Sequence, residues 1–387
     1  MSVLEGALVR GGTSKCWIFS VVAMDRIAAS YDEILAFTFG GSDAHELDGV
    51  GGGTSVSSKA AIVGRSPDDG ADVEYLFAQV GLGTGTVEWV SNCGNCATAV
   101  GLYAVGSGLV PIQGDVTVVR LRNRNTGAIL VAEVETPQRR LPDFGTARVP
   151  GVTTTGVGVG LRFTDPEGST TGVLLPTGRP VQVLDADGAP RVTLIDAGTP
   201  SALFDARDFP PLGTSLDTES ASRLIALRPA AAVAMGLSAP GVPSPDSIPK
   251  VGVVGPPVDY VTTAGEVIPA EAYDIRAWMI SMRAPHPAIG LTAAVAVATA
   301  AVLPGSVCSS WARSQVNPLD VRIGTPSGLV RVALDTTGAT GDHAVGLVAA
   351  TLRRAARVIA RAQIQLPYPT HSDAPARKAL SAARTTA

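Results

Sequence analysis

Charge is scarce in this chain: Asp, Glu, Lys and Arg make up only 17% of its residues, against 45% hydrophobic. That balance excludes a disordered, self-repelling chain and leaves ample apolar surface for buried cores. Positive charge is not in excess either. With a net charge of −4 and a pI near 5.6 there is no general basic field, so neither nucleic acid nor a membrane is an expected partner. An anionic ligand needs a local site. Cysteine is sparse too, and Cys16, Cys93, Cys96 and Cys308 do not make the dense framework of a small secreted domain, so free thiols are expected. The opening MSVLEGALVRGGTSK has no basic segment followed by an apolar core, which predicts a cytoplasmic location. The longest apolar run, 288–303, is shorter than the roughly 18 residues of a membrane span and ends at Pro304-Gly305, so it reads as a buried helix.

At 387 residues the chain exceeds the size at which one core usually stops growing, and two domains are expected. Internal similarity supports them. LVRGGTSKCWIF from Leu8 aligns with LIDAGTPSALF from Leu194, pairing Gly12-Thr13 with Gly198-Thr199, and each segment reads as strand, tight loop, strand. Thr126-Gly127 aligns in the same order with Ser327-Gly328. Between these landmarks each half has one Ala/Gly-rich apolar segment, CATAVGLYAVGSGLV from Cys96 and AIGLTAAVAVATAAVL from Ala288, which reads as a helix apolar on every side. The pattern predicts an α/β (α+β) chain of two pseudo-symmetric halves, 1–188 and 189–387, each a mixed sheet rolled around its helix. The boundary is placed near 186–190, residues 238–257 read as a surface loop, and residues after Tyr368 read as a polar, Ala-rich tail that either frays or packs back on the first half.

Several residues invite a chemical reading. In HELDGVGGGTSVSSKAAIV, Gly51-Gly52-Gly53 and a run of hydroxyls including Ser58 lead to Lys59, in a chain whose 30 basic residues are mostly arginine. An amine beside an apolar run acts as a base where its surroundings disfavour the ammonium form; a surface lysine at a strand edge is the plainer alternative. Asn92-Cys93-Gly94-Asn95 precedes the first buried helix, where the dipole lowers a thiol pKa and free amides hold a carboxylate. The alternatives are a buried small hydrophobe at Cys93, or a redox or zinc pair with Cys96, for which no second ligand pair is found. His286, between Pro285 and Pro287, stands before the second helix as carboxylate-orienting group or rigid turn. Arg10 and Lys15 flank the Gly-Gly turn of RGGTSK, whose spacing is not that of a Walker A loop.

Taken in order, RGGTSK, LDGVGGGTSVSSK, NCGNCATAVG, LLPTGRPV, LIDAGTP, MISMRAPHPAIGLTAAV and RIGTPSG resemble the PrpF-like 2-methylaconitate isomerase family over nearly the whole chain. Its relatives include aconitate, 4-oxalomesaconate and methylitaconate isomerases, and its fold is that of diaminopimelate epimerase. The resemblance implies Lys59 as principal base and Cys93 as second catalytic group. It also implies substrate binding by Arg10, Gly12, Thr13, Ser14 and Lys15, by Ser58, by Asn92, Gly94 and Asn95, and by His286, Ser327 and Gly328. Cys16, Thr325 and Arg283-Ala284 depart from the usual pattern and bear on the substrate. The expected activity is a 1,3-proton shift or cis-trans isomerisation of a small unsaturated di- or tricarboxylate, without metal or organic cofactor, at a site between the halves. A two-base epimerase and a non-catalytic carboxylate-binding protein are the competing readings, and either a monomer or a homodimer is compatible with the sequence.

Overall fold

The computed structural model describes residues 1–89, 93–337 and 345–371. Two compact units divide it: residues 1–161 with 353–387, and residues 162–352. Residues 186–190 lie inside the second unit, in the turn before its strand Arg191–Asp196. Among the described residues no helix is long and apolar enough to cross a membrane.

In the first unit, strands β1 (Ser2–Gly11) and β2 (Ser14–Ser20) form an antiparallel hairpin. β2 pairs in parallel with β3 (Lys59–Arg65), which is antiparallel to β4 (Val73–Val80). β4 then runs parallel to β5 (Val116–Asn123), and β5 makes a second hairpin with β6 (Ile129–Glu135). Helix α1 (Tyr31–Phe39), started by a Ser30/Glu33 capping box, packs its apolar side with Trp17, Phe19, Ile62 and Leu76. Helix α2 (Gly94–Gly106) contacts β1, β2, β5 and β6 and is buried at Gly94 through Leu102. Its small residues permit that: a Cβ on Gly101 would stand 2.6 Å from Ala132 Cβ.

The second unit repeats the plan. β7 (Arg191–Asp196) and β8 (Pro200–Asp205) form the hairpin, β8 is parallel to β9 (Lys250–Gly255), and β9 is antiparallel to β10 (Ile275–Ser281). β10 runs parallel to β11 (Val321–Thr325), whose hairpin partner is β12 (Gly328–Thr336). Helix α3 (Thr218–Ala234) packs on Leu194, Phe204 and Val253, while α4 (Leu291–Val302) is buried from Leu291 to Ala301 and contacts β7, β8, β11 and β12. Both expected central helices are thus present, α4 starting three residues after Ala288, with Gly290 extended as its N-cap.

The duplication reaches side chains that the sequence comparison passed over. Asp72, just before β4, takes the Arg120 amide at 2.8 Å and its Nη2 at 2.7 Å. Asp274, just before β10, takes the Arg322 amide at 2.8 Å and its Nη2 at 2.7 Å. Each aspartate thereby joins one parallel pair of its own unit, β4 to β5 and β10 to β11. The offsets agree, 274 − 72 and 322 − 120 both giving 202, close to the 201 of the Thr126 and Ser327 landmarks.

Two sequence expectations need correction. The loop read over 238–257 ends earlier, because KVGVVG forms β9 between β8 and β10. The tail begins later, because the last strand, β13 (Leu347–Leu366), pairs through Ala356–Leu366 with β1, and the Ala28 and His371 amides bond Pro369 O and Arg26 O. Residues 372–387 lie outside the described residues.

Candidate active site

Lys59 opens β3 opposite Gln79 and is only 8% exposed, so the surface-lysine alternative does not apply. Its Nζ donates to Gln79 Oε1 at 2.5 Å and lies 5.2 Å from the centre of the Phe77 ring. Gln79 is itself fixed, its Nε2 donating to Ser58 O at 3.0 Å. Among the described residues no carboxylate pairs with Lys59, and its oriented partner is a neutral amide.

Ser58 is committed to the preceding loop. Its hydroxyl donates to Glu46 Oε2 at 2.5 Å, and the same oxygen accepts the Gly53 amide at 2.7 Å. A Cβ on Gly51 would lie 2.0 Å from Glu46 Oε2, which explains why the run before Lys59 is glycine: the loop wraps closely around a buried carboxylate. The sequence reading missed Glu46, one of three acids, with Asp43 and Asp48, just before the glycine run. Lys15 lies along the same loop, its Cε 3.1 Å from the place a Gly52 side chain would take.

Cys93 is the N-cap of α2, and among the described residues its side chain makes no capping hydrogen bond to the first turn. The early amides of that turn lie at the positive end of the helix dipole, and the Cys96 amide acts to favour the thiolate. The expectation that the helix would lower the Cys93 pKa is reversed. A hydrogen bond to the Cys96 thiol, and then burial, hold it well above the ordinary value, with the positive charge of Lys59 acting the other way. Burial and a hydrogen bond to Cys16 likewise push Cys96 up. Cys16, one of the departures from the family pattern, thus ends a run of three thiols, and Cys93 rests as a protonated group.

Asn95 in the first turn joins the helix to the β1–β2 turn, donating from Nδ2 to Thr13 Oγ1 at 3.2 Å and Ser14 Oγ at 3.3 Å. Gly12, at φ +54°, is the residue this approach demands, since a Cβ there would stand 2.1 Å from Asn95 Oδ1. Arg10 is largely occupied: Nη1 donates to Gly12 O and Ala355 O, both at 3.2 Å, and Nη2 to Thr155 O at 2.9 Å. It clamps the turn to β13. Arg10, Gly12, Thr13, Ser14, Lys15, Ser58, Lys59, Cys93, Gly94 and Asn95 all belong to the first unit, and Asn92 lies outside the described residues.

The second unit holds His286, Ser327 and Gly328. His286 is buried ahead of α4, and its Nδ1 accepts the Ala288 amide at 2.9 Å, fixing the turn. Ser327 donates to Pro287 O, and Thr325 Oγ1 donates to Gly328 O at 2.7 Å, so these residues tie the β11–β12 turn to the loop before α4. The N-cap of α4 is Gly290, with no thiol. Cys308 is fully buried beyond the helix.

These features can be set beside known proteins. The chain is 32% identical to the 2-methyl-aconitate isomerase of Shewanella oneidensis, over 93% of this chain and 96% of that one. It is 36% identical to the (4E)-oxalomesaconate Delta-isomerase of Novosphingobium sp. KA1, over 90% of this chain and 93% of that one. A crystal structure of methylitaconate-delta-isomerase superposes with a TM-score of 0.76 at 28% identity, covering 94% of this chain and 95% of that one. The two-unit fold expected from the resemblance is therefore the fold observed. The PrpF protein family matches residues 1–367, and the chain belongs to that family.

Proposed function

We propose that this protein is an isomerase that moves a proton along a three-carbon allylic unit of a small unsaturated di- or tricarboxylate, with Lys59 and Cys93 as its proton-transfer groups and no cofactor. The activities named for its relatives support the reaction class. The observation that carries the assignment of residues is the arrangement of Lys59: a buried amine held by a neutral amide, close enough to a helix-capping thiol for its charge to act on it.

The chemistry follows from that arrangement. The amine removes a proton from the carbon next to a carboxylate or conjugated carbonyl, leaving an extended enolate. The positive end of the α2 dipole and the lysine charge itself stabilise the anion where negative charge develops. A proton is returned at the far end of the allyl unit by the Cys93 thiol or by Lys59. Rotation about the former double bond in the enolate gives cis-trans isomerisation through the same intermediate. A two-base epimerase would use a thiol at each helix start, and the N-cap of α4 is Gly290.

Proton NMR of cis- and trans-aconitate, methylaconitates, itaconates and oxalomesaconate with the protein in deuterated water tests this directly. Isomerisation of at least one acid, with deuterium entering at an allylic carbon, is the expected result. If every acid is recovered unlabelled and unchanged, the proposal is wrong.

A further inference from the structure

Beside this site lies a cation that the reading above does not use. Arg354, on β13, is 4% exposed, and among the described residues its side chain has neither an ion pair nor a hydrogen bond. Its Nε and Nη2 are buried without an acceptor. Burial, and then the positive charge of Arg10, lower its pKa to about 10. A buried charge without a partner is strongly unfavourable, and no carboxylate of the described residues offsets this one.

The position of these atoms matters. A Cβ on Gly12 would fall 3.2 Å from Arg354 Nε and 2.1 Å from Asn95 Oδ1, so both groups flank the β1–β2 turn. Asn95 Oδ1 is also buried without a donor, two residues from Cys93. Arg10 cannot neutralise the pair, because its Nη atoms are spent on backbone carbonyls and it is itself a cation. An occupant must therefore supply an acceptor for the guanidinium and a donor for the amide oxygen. A carboxylate with a bound water meets both needs.

We infer that Arg354 binds a substrate carboxylate remote from the carbon that loses its proton, making the enzyme selective for acids that carry this additional carboxylate. The inference rests on the isomerase reading for the word substrate and on the unpaired guanidinium for the site. A matched pair of inert acids tests it: glutarate, and tricarballylate, which is glutarate with one more carboxylate. Calorimetric titration of the full chain should show tricarballylate binding more tightly than glutarate by about 10-fold or more, as expected for a charged hydrogen bond to a buried group. In Arg354→Met and Arg354→Gln that advantage should vanish while glutarate binding moves by less than about 3-fold. Melting temperatures without ligand should hold or rise, since each variant removes an uncompensated buried charge. Either variant, if folded, decides the matter. Equal affinities for the two acids in the unmodified protein, no binding of tricarballylate, or an advantage that survives the loss of Arg354 each overturn the inference. Should the advantage depend on Arg354 while no unsaturated acid is isomerised, the isomerase reading falls and the carboxylate site stands. If an Arg354→Met protein turns over a tricarboxylate with unmodified KM, the site falls and the isomerase reading is untouched.

Discussion

Two buried helices, α2 and α4, begin on the same strand frame, each beside a hairpin turn with a positive-φ glycine, Gly12 at +54° and Gly198 at +74°. The first start carries Cys93, Asn95 and the nearby Lys59; the second carries Gly290, with His286 turned to its own backbone. Duplication therefore preserved what holds each sheet around its helix, down to Asp72–Arg120 and Asp274–Arg322, while the groups suited to moving a proton collect in one unit. Scaffold and chemistry have separate constraints. A helix wrapped by strands needs small residues and satisfied backbone wherever it occurs, whereas a base and an acid are needed once per reaction.

The largest effect should come from deleting the base. Lys59→Met keeps an unbranched chain of similar bulk, so isomerisation and deuterium exchange should both fall by at least about 10²-fold with folding little changed. His286→Ala removes an acceptor for one backbone amide and should lower turnover by less than about 5-fold. Steady-state rates of the two variants on one turned-over acid settle the matter. Equal losses would mean that both helix starts serve the chemistry.

The two turn glycines sharpen the same contrast in stability. Gly12→Ala meets a backbone conformation that disfavours a side chain and a 2.1 Å clash with Asn95 Oδ1, so it should cost about 2–4 kcal/mol. At Gly198 the nearest atom to an added Cβ is Val295 Cβ at 3.4 Å, leaving mainly the conformational cost of about 1–2 kcal/mol. Urea unfolding of both variants measures the difference. Similar losses would show that the closer packing at the first turn is unimportant.

Much of this frame could be read from residue order. The hairpin turns and both apolar helices were legible because period, small-residue content and motif carry local signals, whereas the joint role of Lys59 and Cys93 is only what the family resemblance implies. What escaped was long-range. Arg354 stands in LVAATLRRAARVIARAQIQL, where arginines recur along a strand, and nothing local tells which one turns inward. Glu46 reads as one more loop acid until Gly51 and Gly53 are seen folded over it. The pKa of Cys93 also escaped, since Cys96, three residues on, was weighed only as a redox or zinc partner and not as a hydrogen-bonding thiol, and burial is tertiary.

Cys93 supplies the next test. Cys93→Ser puts a small hydroxyl in place of the thiol at the N-cap, where serine is favourable, but offers a poorer proton donor, so turnover should fall by about 10-fold or more with KM largely kept. The loss should be shallower than that of Lys59→Met. If Cys93→Ser alone is inactive and Lys59→Met is not, the thiolate is the base and the lysine a cationic clamp.

The smallest effect concerns Cys308, a thiol of the second unit outside the proposed chemistry. Burial, with a smaller contribution from Asp205, raises the Cys308 pKa in the folded chain. The unfolded chain releases this proton near pH 9 and the folded chain keeps it, so the folded state binds more protons above that pH. Stability contributed by the protonated thiol is full below about pH 9 and declines as pH rises, by about 1.4 kcal/mol for each further unit. Cys308→Ala cannot show this decline. Denaturant titrations of both proteins at pH 8 and pH 10 should therefore find the stability gap moving in favour of the variant by about 1 kcal/mol. A gap that stays constant would mean that the Cys308 thiol ionises as easily in the folded protein as in the unfolded chain, and that burial beyond α4 is not what keeps it protonated.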